Sequence, residues 1–324
     1  MRNDGEPMNG LVRSVLRRAL SAAALLGAGA ALAVAVRDDA GRTLEVAAPA
    51  VRIVSLAPHL TELLFAIGAG AQVVGIVAYS DHPEAARSVP QVGDSAQLDL
   101  ERIVALRPDL IVAWRSGNSE AQLQRLAALR IPIYRSESRE LGDISSTLRR
   151  LGALSGNGET AERQAQRFDA AVAKLRSSFA QRRKLRVFYQ IWPQPLLTIN
   201  GQHMISQALE TCGARNVFAD ERALTPAVGE EAVLAKDPDA IVSSALPEQG
   251  APTPEIDAWR RRKTLRAVAL GNLIAVNPDT LHRSSHRIVE GIAELCAKLD
   301  AARERMRHAA AAPDDAAPAA RLTR

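Results

Sequence analysis

The sequence predicts an α/β protein of two Rossmann-like lobes with parallel-rich central sheets, joined by one long α-helix. Three observations carry that expectation: a half-repeat in the body of the chain, a matched strand–helix pair upstream of each copy, and a Gly- and Pro-free amphipathic segment between the halves. The chain has 324 residues, which fits two domains better than one. Hydrophobic residues make up 47%, enough for two modest cores. Aromatic residues are only 3%, so each Trp and Tyr is a candidate for a specific role.

Residues 1–40 read as a signal peptide and leader. Arg13, Arg17 and Arg18 precede an Ala/Leu-rich stretch from Ala19 to about Val36, and Ala31, Ala33 and Ala35 offer small residues for cleavage. Basic region, short apolar region and small-residue end form the layout of a secretory signal. An uncleaved membrane anchor is the competing reading, because an apolar run of about 18 residues borders on a span. With no Cys near the end of the leader, a lipid anchor is not expected.

The N-terminal lobe is assigned to 41–157 and the C-terminal lobe to 184–308. The half-repeat reads ERIVALRPDLIV from Glu101 and EAVLAKDPDAIV from Glu231. Each copy predicts a short helix, a Pro-Asp turn and a strand: proline stops the helix and Asp suits the turn. The apolar runs Leu110 to Ala113 and Ala240 to Val242 suit parallel strands covered on both faces. Upstream, Arg52 to Leu56 and Arg186 to Gln190 predict strands. Each precedes a helix, Leu60 to Ile67 and Met204 to Thr211, with Gly68 and Gly213 as left-handed caps.

Between the lobes, 158–183 is the connecting helix. From Glu159 to about Arg183 the residues Ala161, Ala165, Phe168, Val172, Leu175 and Phe179 recur at helical spacing. That helix is about 37 Å long and acts as a stiff spacer, so a site between the lobes would change shape little on binding. The tail 309–324, rich in Ala, Pro and Asp, is expected to be disordered.

The charge of +5 sits largely in the leader and tail, and the run Arg260 to Lys263 reads as a solvated helix face, so no nucleic-acid partner is expected. Trp259, among those basic residues, reads as packing. Cys212 and Cys296 are the two cysteines; in an exported chain they invite a disulfide, with two buried thiols as the alternative. The histidines His59, His82, His203, His282 and His286 have no carboxylate companions that suggest a built metal site.

The segments RIVSLAPHLTELLFAIGAG, AYSDHP, LDLERIVALRPDLIVAW and DTLHRSSHRIVEGIAELC, spread from about Arg42 to Leu299, carry a resemblance. The chain resembles the helical-backbone binding-protein family, whose members serve ABC importers of cobalamin, haem and iron–siderophores. Within it, the chain is most similar to the cobalamin binders. The resemblance implies a periplasmic, monomeric receptor that takes cobalamin or a related corrinoid as transported ligand, uses no cofactor of its own, and hands the ligand to a membrane permease and its ATPase. It implies pocket roles for Tyr79 and Trp114, a cleft-facing Trp192, and contacts from Asp279 and Arg283 to the corrin side amides. It also implies a Cys212–Cys296 disulfide, and docking of Glu101 and Glu231 on arginines of the membrane component. Two family tryptophans are replaced here by Ser95 and Thr225, which leaves the pocket less aromatic.

Elementary chemistry agrees with these roles. A corrin is a flat, partly apolar ring fringed with amides; aromatic faces suit its plane, and Asn118, Asp279 and Arg283 offer edge partners. His59, in the turn before a helix, is a candidate for the cleft wall. Glu101 and Glu231 occupy equivalent repeat positions, so two like subunits of a transporter would meet two like charges. A haem or ferric-siderophore receptor of the same fold is the alternative, the siderophore reading calling for several basic pocket residues. From another class, an exported α/β hydrolase is the competitor, but the chain has no GxSxG, HExxH, P-loop or GxGxxG motif.

Overall fold

The structure, a computed structural model, describes residues 33–94, 96–244 and 254–311. It opens with an antiparallel hairpin of β1 (Val34–Arg37) and β2 (Thr43–Val46). The expected leader of 1–40 therefore overlaps this hairpin, which begins at Val34. The strand alternation Val34-Ala35-Val36 runs straight on from the Ala/Leu-rich stretch, so apolar composition merges the two and the fold begins before residue 40. The rest of the expected signal lies at 1–32, outside the described residues. Asp39 seats the hairpin on the N-lobe, accepting from Arg150 at 2.6 Å and from the Glu137 N–H at 2.8 Å.

The N-lobe runs β3 (Ile53–Ser55), α1 (Pro58–Ala66), β4 (Val73–Ile76), α2 (Leu100–Ala105), β5 (Leu110–Trp114), α3 (Glu120–Ala128), β6 (Ile133–Ser136) and α4 (Leu141–Ser155). Helix α5 (Gly158–Phe179) crosses to the C-lobe. There follow β7 (Leu185–Gln190), α6 (Met204–Thr211), β8 (Ala214–Asn216), α7 (Glu230–Lys236), β9 (Ala240–Ser244), α8 (Pro254–Arg260), α9 (Arg266–Ala269), β10 (Leu273–Val276), α10 (Pro278–Leu281) and α11 (Ile288–Ala311). The sheets are parallel, ordered β4-β3-β5-β6 and β8-β7-β9-β10. In each lobe the second strand lies outside the first and the third and fourth follow on its other side, so both lobes share one topology.

The repeat extends into the hydrogen bonds. Asp109 accepts from the Val51 and Arg52 N–H groups at 2.9 Å, and Asp239 accepts from the Arg186 N–H at 2.9 Å. The Arg52 guanidinium then caps α2 at the Leu106 carbonyl (2.7 Å), and Arg186 caps α7 at the Lys236 and Asp237 carbonyls. Arg107 and Asp237, just before the two prolines, both take left-handed backbone, φ 47° and 38°. The Pro-Asp turn therefore ends the helix and anchors its base to the start of the lobe's first strand. The helix must point its N-terminus toward the opposite end of the sheet.

Helix α5 ends at Phe179, short of Arg183, and is more than a spacer. Its Ala161, Ala165, Phe168 and Val172 belong to one buried cluster that also contains Leu60 and Leu148 of the N-lobe and Leu209 and Leu295 of the C-lobe. The inner faces of both sheets thus share a core through α5, while each outer face has its own cluster. Close packing of α4 on α5 depends on Gly152, where an added Cβ would lie 2.2 Å from that of Ala161.

Cys212, at the end of α6, is disulfide-bonded to Cys296 on α11. Arg303, buried on the same helix, donates to the carbonyls of Cys212 (2.7 Å) and Gly213 (2.9 Å), with Gly213 in the left-handed conformation that ends α6. Helix α11 extends through Ala311, so the first residues of the expected tail are helical and 312–324 lie outside the described residues. Trp259 is buried, its Nε1 donating to Gln190 at 2.7 Å.

Candidate functional site

The carboxyl ends of the strands in both lobes open onto one cleft of about 700 Å³. Ligands of parallel α/β sheets bind at this end, where loops leave the strands. From the N-lobe, Trp114 ends β5 with Arg115 and Ser116 after it, and Glu137, Ser138 and Arg139 follow β6. The C-lobe contributes Ile191 after β7, His203, Met204 and Ile205 at the start of α6, and Arg222, Leu224, Leu281, His282 and Ser284.

Trp114 is held from three sides. Its backbone N–H donates to the Asn118 side chain at 2.7 Å. Its ring packs T-shaped on that of His59, centroids 5.4 Å apart and planes at 89°. It also lies over Gly117, where an added Cβ would be 1.8 Å from Cε3. Two of the expected cleft residues lie behind this wall. Asn118 is buried, outside the cleft lining, and also donates to the Leu56 carbonyl at 2.9 Å, so it ties the loop to the residue after β3. His59 is 8% exposed and backs Trp114 from behind the wall. Burial pushes its pKa down to about 4, with Arg283 adding repulsion.

Arg283 and Asp279 stand in a network that joins the lobes. The Arg283 guanidinium donates to Glu62 (2.9 Å), Asp81 (2.9 Å) and Asp279 (3.0 Å). Glu62, fully buried on α1, also accepts from Arg287 and from the Ser285 hydroxyl. Burial alone would raise the Asp81 pKa, but the hydrogen bond and charge of Arg283 outweigh it and hold that carboxyl below its usual value. Arg283 is thus already engaged by three carboxylates, a constraint that the spacing of DTLHR does not disclose.

Tyr79 and Trp192 are exposed rings, 78% and 58%, and neither is among the residues lining the cavity. Trp192 is adjacent to Ile191 and donates through Nε1 to the Gln194 carbonyl at 3.0 Å. Tyr79 takes left-handed backbone, φ 64°, a conformation uncommon for an aromatic residue, two positions before the Asp81 that pairs with Arg283. Ser95 lies outside the described residues, and Thr225 is exposed beside Leu224.

Several lining residues have no signature in the sequence. Arg115, Arg139 and Arg222 bring three cations to the cleft. The carboxylate of Glu137 sits with them and accepts from the Ser116 hydroxyl at 3.0 Å. His203 caps α6 by accepting the Ile205 N–H at Nδ1, and His282 meets the Tyr189 hydroxyl at 2.8 Å through Nε2. Burial lowers both histidine pKa values to about 4, with repulsion from His203 as a second cause at His282. His282 and His286 are four residues apart, yet no group of three or more His, Cys, Asp or Glu side chains among the described residues is placed to hold a metal. No helix among the described residues is long and apolar enough to cross a membrane.

Glu101 and Glu231 lie elsewhere, exposed in the first turns of α2 and α7. Because Arg52 and Arg186 pin the C-terminal ends of these helices to the starts of β3 and β7, both glutamates stand at the cleft end of their lobes.

Comparison with known proteins gives a consistent picture. A family model described as periplasmic binding protein matches residues 53–280. A vitamin B12-binding protein of Yersinia pestis is 37% identical over 248 residues, covering 76% of this chain and 86% of its own. Among solved structures, the periplasmic vitamin B12 binding protein BtuF of Vibrio cholerae superposes with a TM-score of 0.71 at 33% identity, over 79% of this chain and 99% of that one. A periplasmic heme binding protein from Pseudomonas aeruginosa matches with a TM-score of 0.67 at 25% identity, over 76% and 92%.

Proposed function

The chain belongs to the periplasmic binding protein family, and from that premise we propose that it captures cobalamin or a related corrinoid in the periplasm and delivers it to an ABC importer. The observation that carries this reading is the clamped indole of Trp114 on the wall of an interlobe cleft. A pre-set aromatic face suits a flat macrocycle because little side-chain freedom remains to be lost on binding. Tyr79 and Trp192 supply further exposed rings, and Asp279 and Arg283 supply polar edges for side amides. The relatives named for vitamin B12 support the same ligand. Both cleft histidines bond to a backbone N–H or a tyrosine, which suits a receptor better than a hydrolase. Glu101 and Glu231, one on each lobe, dock on the importer through charge.

The three arginines of the cleft favour a second reading in which the ligand is anionic, such as haem with its propionates or a ferric siderophore. Calorimetric titration of the purified protein against cyanocobalamin, haem and a ferric siderophore separates the two. Tight one-to-one uptake of unaltered cyanocobalamin is expected. Saturation by haem or siderophore alone replaces the corrinoid reading, and cleavage of an ester or glycoside without binding replaces both. For delivery, replacing Glu101 and Glu231 by Lys should abolish uptake while leaving ligand affinity intact; normal uptake refutes docking through these residues.

A further inference from the structure

The repeat places more than a carboxylate on each docking helix. Val104 and Leu234 are exposed, 41% and 36%, and stand three residues beyond Glu101 and Glu231 at equivalent positions of the two copies. Ala105 and Ala235, one residue further, are exposed as well. Residues separated by three and four positions share one face of a helix. Each lobe therefore shows an outward stripe of acid, branched aliphatic and alanine, while Ile103 and Val233 turn the other face into the outer core of each lobe.

A single exposed Val or Leu needs no explanation. Here the same exposure recurs on two helices that match in their capping arginine, their left-handed closing residue and their Pro-Asp turn. Both stripes also stand at the cleft end of their lobes, where a bound ligand must leave. Resting on the reading of Glu101 and Glu231 as docking residues, we infer that each lobe engages its partner through a two-part contact: the glutamate pairs with a cation, and Val104 or Leu234 seats in an apolar depression beside it. The partner that fits is a membrane assembly with two like subunits, each presenting a basic group next to an apolar hollow about one helical turn, roughly 5 Å, away. In such a contact charge steers encounter and orientation, and the dry aliphatic contact slows release.

The test measures association of the full mature protein, loaded with cyanocobalamin, with its detergent-solubilised importer by surface plasmon resonance. Val104→Ser with Leu234→Ser should weaken association about tenfold, chiefly through faster dissociation, with cyanocobalamin affinity unchanged. Leu129→Ser, at a leucine exposed beyond α3 and outside both stripes, should associate as wild type. If the Val104/Leu234 double variant associates as wild type while Glu101→Gln with Glu231→Gln is weakened, the aliphatic contact is refuted and docking by the glutamates stands. If the glutamate variant also associates as wild type, the docking reading fails and takes this inference with it. A loss in Leu129→Ser equal to that of the double variant overturns the assignment of the stripes.

Discussion

Glu62 and Arg283, 221 residues apart in the chain, form an ion pair at 2.9 Å that joins α1 of the N-lobe to the loop after α10 of the C-lobe. The carboxylate side chain has no exposed surface, whereas Asp81 on the same guanidinium is 49% exposed. Removing one partner of a buried pair costs about 3–5 kcal/mol, the low end applying here because Arg283 keeps Asp81 and Asp279, while an exposed pair contributes at most about 1 kcal/mol. Glu62→Ala should therefore lower the free energy of urea unfolding by about 3 kcal/mol, and Asp81→Asn by about 1 kcal/mol or less. Equal losses in the two variants would show that burial does not set the strength of this junction.

The disulfide closes a separation of 84 residues between α6 and α11. On the chain-entropy account a loop of that length stabilises the native state by roughly 4.5 kcal/mol through the unfolded ensemble. Neither cysteine lines the cleft. The Cys212→Ala, Cys296→Ala variant should unfold at lower urea concentration and bind cyanocobalamin as wild type. Comparable stability in the two proteins would mean that Arg303, bonded to the same helix end, already holds α6 in place.

Much of the architecture is legible in the chain because it is local. Pro108-Asp109 and Pro238-Asp239 announce the two turns, and Gly68 and Gly213 the helix ends, from spacing alone. Arg52 and Arg186 stand at the start of both predicted strands, so their paired capping role had a visible signal that the strand pattern absorbed. The site is less legible, because its parts meet only through the fold. Glu62 sits in TELLF like any helix-surface acid, and nothing nearby points to partners in the closing segment. Arg139 and Arg222 come from loops after different strands, so their convergence is a property of the cleft. Asn118 has the chemistry of a ligand contact, but side chains in strand-end loops also hold the loops themselves, as Asn118 does through Trp114 and Leu56.

His59 makes stability depend on pH with a definite sign. Its native pKa is held down at about 4 by burial, against about 6.5 in the unfolded chain. As pH falls from about 6.5 to about 4, the unfolded state takes up a proton that the native state refuses, and stability is lost over that window. The loss from this residue is on the order of 2–3 kcal/mol by pH 4.5. His59→Phe retains an aromatic ring against Trp114 and cannot titrate. The drop in unfolding free energy between pH 7 and pH 4.5 should be smaller in the variant by that amount, the remainder coming from groups such as His203 and His282. An identical drop in both proteins would remove His59 as a source of acid lability.

Gly117 sets the position of the cleft's fixed aromatic. A methyl group there would lie 1.8 Å from Cε3 and 2.3 Å from Cζ3 of Trp114, and because both atoms belong to a rigid ring, the whole indole must move. Trp114→Ala should weaken cyanocobalamin binding by about 1–3 kcal/mol, the range for a buried aromatic anchor. Gly117→Ala should reproduce most of that loss while leaving Trp114 in the chain. Since both changes remove one contact, combining them should cost little more than either alone, the non-additivity expected of residues that act as a unit. Titration calorimetry on the two single variants and the double decides the matter: additive losses, or wild-type affinity in Gly117→Ala, would show that the ligand does not depend on where this indole is held.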